Sequence, residues 1–370
     1  LGRLKPILRF LLEHQKSSSE DEENIHLQNH QLLIMLEAER ALEASRARWE
    51  GTDVIRQKLS ALSKLNELPE VTPPQGLSIP LRDYQQHGLN WLQGLREGHF
   101  GGILADDMGL GKTVQTLAHL QYEKEKGRMR GPCLIVAPTS LLGNWFEEAK
   151  RFTPELKVAI YHGAKRHKSA FKAHDIIVTT YALIQRDKRI FLEQSFYYLI
   201  LDEAQFIKNA RTKTTQIIQQ IKSQHRLCLT GTPLENHLGE LLSLFHFLMP
   251  GFLGQAKQFR RFYKMPIEKN NDEEQKQLLA RRVQPFMLRR RKNEVLKELP
   301  EKTEVNSFIE LSHKQRDLYE VVRISMEQKI RAAIASQGLA QSQMTILDAL
   351  LKLRQICCDP RLLSLSDEAF

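Results

Sequence analysis

Eight consecutive residues, Asp106-Asp107-Met108-Gly109-Leu110-Gly111-Lys112-Thr113, have the types and spacing to do chemistry. They follow an apolar run, Gly102 to Ala105, and open into a helical pattern, Val114 to Lys126. Strand, glycine-rich turn, Gly-Lys-Thr and helix in that order make a phosphate-binding loop. Backbone N–H groups at the turn and the helix N-terminus point at β- and γ-phosphates. Lys112 brings a point charge to the same oxygens, and the Thr113 hydroxyl can ligand Mg²⁺. Gly109 and Gly111 suit a backbone that takes positive φ and approaches a ligand closely. The usual pattern has Gly at the first position, where this chain has Asp106, so the flanking elements carry the reading.

A second constellation follows the apolar run Tyr197 to Leu201, which ends in Asp202-Glu203-Ala204-Gln205. A strand that delivers an acidic pair is the Walker B arrangement: Asp202 holds Mg²⁺ opposite Thr113, and Glu203 orients or deprotonates an attacking water. Taken alone, an acidic pair after a strand is also an ordinary helix N-terminus, favourable to the dipole. Thr230-Gly231-Thr232-Pro233 follows a further strand and offers two hydroxyls on a sharp turn. It reads either as a γ-phosphate sensor beside Glu203 or as a capped turn opening a helix over Glu235 to Phe247.

These loops need a scaffold that brings their strands side by side. Apolar runs at 133–137, 158–161, 176–179, 198–201 and 227–229 suit parallel strands buried on both faces. Helical patterns over 141–151, 184–195 and 214–223 separate them. The alternation predicts an α/β, doubly wound parallel sheet with ligands beyond the carboxyl ends of its strands. Before it, 1–76 reads as a helical extension closed by Pro69, Pro73 and Pro74. Gln85, on a helix pattern over Leu81 to Leu92, can offer a bidentate amide to a purine edge; in isolation it reads as a solvated helix residue.

The chain has 370 residues, 41% hydrophobic and 26% charged, as in a soluble globular protein. No apolar run reaches the roughly 18–20 residues of a membrane span. A formal net charge of +10 favours a polyanionic partner, nucleic acid first. Four cysteines without CxxC or metal spacing fit a reducing compartment. The Leu1-Gly2-Arg3 start, without Met or a signal-peptide pattern, suggests a piece of a longer protein.

The motifs in this order resemble the first RecA-like motor lobe of superfamily-two helicases, and within that group the Swi/Snf family of double-stranded DNA translocases. The resemblance covers about Leu77 to Leu363. It rests on Asp-Asp-Met-Gly-Leu-Gly-Lys-Thr at 106–113, Ala-Pro-Thr-Ser-Leu at 137–141 with Asn144-Trp145, and Thr179-Thr180-Tyr181. Asp-Glu-Ala-Gln at 202–205 with Ile207-Lys208-Asn209, and Leu-Thr-Gly-Thr-Pro-Leu-Glu-Asn at 229–236, complete it. The family tolerates Asp at the first loop position, and a Gln-ending acidic motif suggests a bacterial member, which implies a cytoplasmic location at the bacterial nucleoid, or a nuclear one if the source is eukaryotic. The resemblance implies ATP and Mg²⁺ as cofactors, with the nucleotide held by Gln85, Asp106, Asp107, Met108, Gly109, Leu110, Gly111, Lys112 and Thr113. It implies catalysis by Lys112, Thr113, Asp202, Glu203 and Gln205, with Gln205 coupling the site to a second lobe. It implies a grip on the DNA backbone by Pro138, Thr139, Ser140, Thr180, Tyr181, Lys208 and Asn209. Partners expected are double-stranded DNA, a second RecA-like lobe and a protein substrate that the sequence does not identify; no membrane is expected. Alternatives are another superfamily-two motor, which Gln205 and Thr230-Gly231-Thr232 disfavour for RNA helicases, and a nucleic-acid-binding module with a vestigial loop.

Beyond the lobe at 77–236, residues 237–311 resemble the family's helical protrusion and basic connecting segment, and 312–370 read as helices leading to a second lobe. Phe259, Phe262 and Tyr263 among Arg260, Arg261 and Lys264 read as a core stripe or a DNA-stacking site. The basic stretch Arg281 to Lys292 is either a solvated face or a coupling and DNA-facing segment. Lys302 to Leu311 reads as a strand. Family arginine fingers have no match here, so this chain is expected to bind ATP and hydrolyse it poorly.

Overall fold

The computed structural model describes residues 70–164, 166–231, 238–295, 305–339 and 341–363. The helical readings before Pro69, and Thr232 to Asn236, lie outside the described residues. Among the described residues seven strands form one parallel sheet in the order β3-β4-β2-β5-β6-β1-β7. They are β1 (Gly102–Leu104), β2 (Cys133–Ala137), β3 (Val158–Ile160), β4 (Ile176–Thr180), β5 (Ser195–Asp202), β6 (Lys222–Leu229) and β7 (Met287–Leu288). The principal helices are α1 (Asp83–Glu97), α2 (Lys112–Glu125), α3 (Leu142–Phe152), α4 (Tyr181–Arg186), α5 (Lys213–Gln220), α6 (Leu238–Leu248), α7 (Glu273–Val283), α8 (His313–Gln337) and α9 (Gln343–Cys358). A parallel sheet flanked by helices is the expected RecA-like architecture.

The central strands are apolar without alternation because both faces are covered. β2 and β4 are buried along their whole length, and β5 is buried from Phe196 onward. Register then decides where the motifs go. Ala137 pairs with Thr180, Val136 with Leu201, and Leu229 with both Asp202 and Leu104. The strand ends are therefore level, and the loops after β1, β2, β4, β5 and β6 leave one edge of the sheet, as ligand sites in such folds require.

Three expectations are corrected. The helix expected over Ile184 to Ser195 is two helices, α4 and Lys188–Glu193, with Ser195 already in β5. The break is at Asp187, whose carboxylate accepts from Arg166 Nε at 2.6 Å and Tyr161 Oη at 3.2 Å. Met287–Leu288, read as part of a basic stretch, is a strand paired in parallel with β1. Conversely, the described part of the Lys302 to Leu311 strand, 305–311, has no regular structure. Val305, Phe308 and Ile309 are there 83, 95 and 85% exposed, because no described strand pairs with them.

The chain divides into two compact units, Leu1–Leu299 and Pro300–Phe370. Phe245, Phe252, Phe259, Tyr263 and Phe286 belong to the same core as the sheet, and the Trp91 indole of α1 donates to Pro285 O at 3.0 Å. Burial of Phe259 and Tyr263, each 1% exposed, makes that cluster a core stripe. In the second unit α8 is capped by Ser312, whose hydroxyl accepts from the Gln315 N–H, and Gln315 Nε2 reaches Ile356 O at 2.6 Å. No helix among the described residues is long and apolar enough to cross a membrane.

Candidate active site

The loop after β1 has the backbone its glycines predict: φ is 85° at Gly109 and 77° at Gly111. Gly111 ends the loop as the residue before α2, and no side chain among the described residues caps the helix there. First-turn N–H groups, which no helix satisfies internally, thus face the hollow of the loop. Lys112 folds across it, donating to Asp106 O at 2.6 Å and Asp107 O at 3.4 Å. Burial lowers the Lys112 pKa, against the opposing charges of Asp106, Glu203, Asp202 and Asp107. A β-carbon at 111 would sit 2.6 Å from Gln85 Nε2 and 2.8 Å from Val114 Cγ1. Gly111→Ala is therefore expected to cost about 1–2 kcal/mol in backbone strain alone, read as a lowered urea midpoint, and to weaken nucleotide binding in a fluorescence titration.

Gln85, reckoned a solvated residue in isolation, is 9% exposed. Its Oε1 accepts from the Arg82 N–H at 3.0 Å and its Nε2 reaches Leu110 O at 3.4 Å, so α1 is tied to the phosphate loop through this side chain. Asp106 is fully buried and faces inward: its carboxylate is paired with the Arg290 guanidinium and accepts from Gln115 Nε2. Met108, 71% exposed, stands at the rim.

Across the cleft, β5 delivers Asp202, 8% exposed. Its Oδ2 accepts from the Trp145 indole at 2.8 Å and its Oδ1 from the Glu203 N–H at 3.0 Å. Burial, with the charge of Glu203 adding, raises the Asp202 pKa against the Trp145 donor. Glu203 has φ of 50°, a left-handed conformation that costs a non-glycine residue energy. Glu203 Oε2 accepts from Gln205 Nε2 at 2.8 Å, and Gln205 Oε1 accepts from the Thr230 hydroxyl at 3.0 Å. The turn after β6 is thus wired through Gln205 to Glu203.

The donor set fits a hard divalent cation bound with a nucleotide. Thr113 offers a hydroxyl and Asp202 a carboxylate, and the Glu148 carboxylate, whose pKa burial raises, lies near the Thr113 hydroxyl. No group of three or more His, Cys, Asp or Glu side chains forms an all-protein metal cage among the described residues. Mg²⁺ held by few protein ligands plus phosphates and water has that character.

Of the residues expected on the DNA backbone, Thr139, Ser140, Lys208 and Asn209 are exposed and Pro138 is half-buried. Thr180 and Tyr181 stand apart. Thr180 accepts the Leu183 N–H at the start of α4, and the Tyr181 hydroxyl donates to Asp202 O at 2.7 Å. Beside Tyr181, stacked at 4.8 Å, the 55%-exposed Phe206 is an aromatic that sequence reasoning passed over. Sequence reasoning also missed Glu148 and the inward role of Arg290. The Trp145–Glu148 spacing of one helical turn was an available signal for Glu148. For Arg290 there was none, since the contact spans 184 residues.

Residues 84–362 match the family model described as SNF2-related domain. YwqA of Bacillus subtilis is 42% identical over 316 residues, covering 83% of this chain and 34% of that protein. The human SWI/SNF-related matrix-associated actin-dependent regulator of chromatin subfamily A member 1 is 40% identical over 302 residues, 79% of this chain and 28% of that protein. The chain thus spans about a third or less of the length of these relatives. The Sulfolobus solfataricus SWI2/SNF2 ATPase core, solved in complex with dsDNA, superposes with a TM-score of 0.59 at 37% identity, over 80% of this chain and 62% of that one.

Proposed function

The chain belongs to the SNF2-related family, and from that premise we propose that it is the ATP-binding motor lobe of a translocase that moves on double-stranded DNA and remodels protein–DNA complexes. The observation that carries the reading is the facing of two loops across one sheet edge. The Lys112 loop leaves β1, and Asp202-Glu203 end β5 two strands away, with Thr230 between them wired to Glu203 through Gln205.

The residues divide the work. Loop N–H groups and Lys112 bind the β- and γ-phosphates. Thr113 and Asp202 hold Mg²⁺, which when bound neutralises phosphate charge. Trp145 and Tyr181 fix Asp202, one through its carboxylate and one through its carbonyl. Glu203 accepts the proton of the attacking water. Thr139, Ser140, Lys208 and Asn209, all exposed, contact the phosphate backbone in this reading without reading bases.

Hydrolysis requires a second RecA-like lobe. Arg290, which reaches the loop, is committed to Asp106, Gln115 and the Tyr84 carbonyl, so in this reading the charge-stabilising arginine is supplied by that second lobe. Such a residue contributes on the order of 10³–10⁵ in rate. The chain alone therefore binds ATP and turns it over slowly. The test compares ATPase rates of this chain and of the protein carrying both lobes, each with duplex DNA, duplex RNA or neither. Stimulation by duplex DNA in the two-lobed protein only, lost by about 10²–10³-fold in Lys112→Ala, is the expected result. Brisk turnover by the chain alone, or stimulation by RNA and not DNA, refutes the corresponding part.

A further inference from the structure

We infer that Arg290 is a positioning residue of the nucleotide site, one that sets the phosphate loop in its binding shape and ties nucleotide occupancy to the segment Met287–Lys292. The inference rests on the nucleotide reading above.

Arg290 lies far from the loop in sequence and inside it in space. Its guanidinium holds both oxygens of Asp106, with Nε to Oδ1 at 2.9 Å and Nη2 paired to Oδ2. Nη2 also donates to Gln115 Oε1 at 2.7 Å, on α2, and Nη1 to the carbonyl of Tyr84, on α1, whose ring the guanidinium covers at 5.4 Å. One side chain therefore joins the first residue of the phosphate loop, the helix that leaves the loop and the helix that carries Gln85. The backbone repeats the connection. Ala105 N–H donates to Leu288 O at 2.7 Å, Asp107 N–H to Arg290 O at 3.1 Å, and Lys292 N–H to Asp107 Oδ2 at 3.0 Å. The loop backbone is thus stapled on both sides of Asp106, the residue whose carbonyl accepts from Lys112.

This explains the departure of Asp106 from the usual glycine. A carboxylate with no solvent exposure needs a fixed cation, and a bidentate guanidinium supplies one with matching geometry. Because the same residues hold the loop, a change in loop shape on nucleotide binding must move or tighten the 287–292 segment.

The experiment uses this chain, with binding of a fluorescent ADP analogue, thermal midpoint and backbone hydrogen exchange as readouts. Arg290→Met leaves the Asp106 charge unpaired and lowers the midpoint. Asp106→Asn combined with Arg290→Met removes the charge and restores the midpoint. If Arg290 positions the loop, the double variant still binds the analogue weaker by on the order of tenfold. The analogue also slows exchange of the Asp107 and Lys292 amides in the wild-type chain and not in the double variant. If affinity returns with the midpoint, or those amides ignore the analogue in the wild-type chain, Arg290 is only a structural counter-ion and the inference is overturned. Failure of the wild-type chain to bind the analogue overturns the nucleotide reading and this inference together.

Discussion

Glu203→Gln is expected to lower ATP turnover by about 10²–10⁴-fold in the two-lobed protein on duplex DNA, with nucleotide affinity nearly unchanged. Gln keeps the shape and the hydrogen-bonding reach of Glu but cannot take a proton. Of the two carboxylates at the end of β5, Asp202 is unsuited to the role: both its oxygens are engaged, by Trp145 and by the Glu203 N–H, and it is 8% exposed. Glu203 keeps one oxygen beyond its bond with Gln205 and is half-buried at the mouth of the site. The left-handed backbone at Glu203 is a cost the fold bears at this position. The readout is single-turnover hydrolysis beside nucleotide titration. A variant retaining turnover within about tenfold of the wild type would move the base elsewhere, with Glu148 the next carboxylate to test.

Residues whose role depends on local sequence were legible without a structure. A phosphate loop needs a strand before it and a helix after it, all within about 25 residues, so Gly109, Gly111, Lys112 and Thr113 announced themselves. The apolar runs of β2, β4 and β5 did the same, since strands buried on both faces leave an uninterrupted pattern. What escaped was whatever depends on contacts between distant segments. Met287–Leu288 is too short to show a period and is a strand only because β1 offers an edge. Arg290 looked like one basic residue among six, and only the sheet brings it to Asp106. Gln85 was misjudged in isolation for the same reason: a helix position reads as solvated until the loop that covers it is known. The Lys302 to Leu311 reading erred in the other direction, because a strand-like pattern does not supply a partner strand.

The second large effect concerns acid. Between about pH 6.5 and pH 4 the chain is expected to lose stability on the order of 3 kcal/mol for each of two buried histidines. His119 and His225 have pKa values lowered from 6.5 to about 4, in each case first by burial; His119 is opposed by Glu123, and His225 is pushed further by His99. The geometry explains the preference for the neutral ring. Gln93 is oriented by Arg128, which donates to its oxygen at 3.0 Å, and its amide nitrogen donates to Glu123 at 2.9 Å and to His119 Nδ1 at 2.9 Å. A protonated Nδ1 would face a donor. Among the described residues His119 Nε2 and His225 Nδ1 have no hydrogen-bond partner, and His225 stacks on Tyr198 at 4.9 Å. As pH falls below 6.5 the unfolded chain takes up two protons that the folded chain refuses until about 4, so stability falls with pH across that window. Glu123 extends the loss. Burial pushes its carboxyl up, but Arg128, His119, Tyr197 and Gln93 together bring it from 4.5 down to about 2, so its contribution, complete above 4.5, disappears as pH falls toward 2. Urea midpoints measured at pH 7, 5.5 and 4.5 would follow the histidine part, and His119→Gln should flatten the slope by close to half. A flat profile over that range would mean that the buried rings are protonated in the folded chain, and that the Gln93 amide is turned the other way.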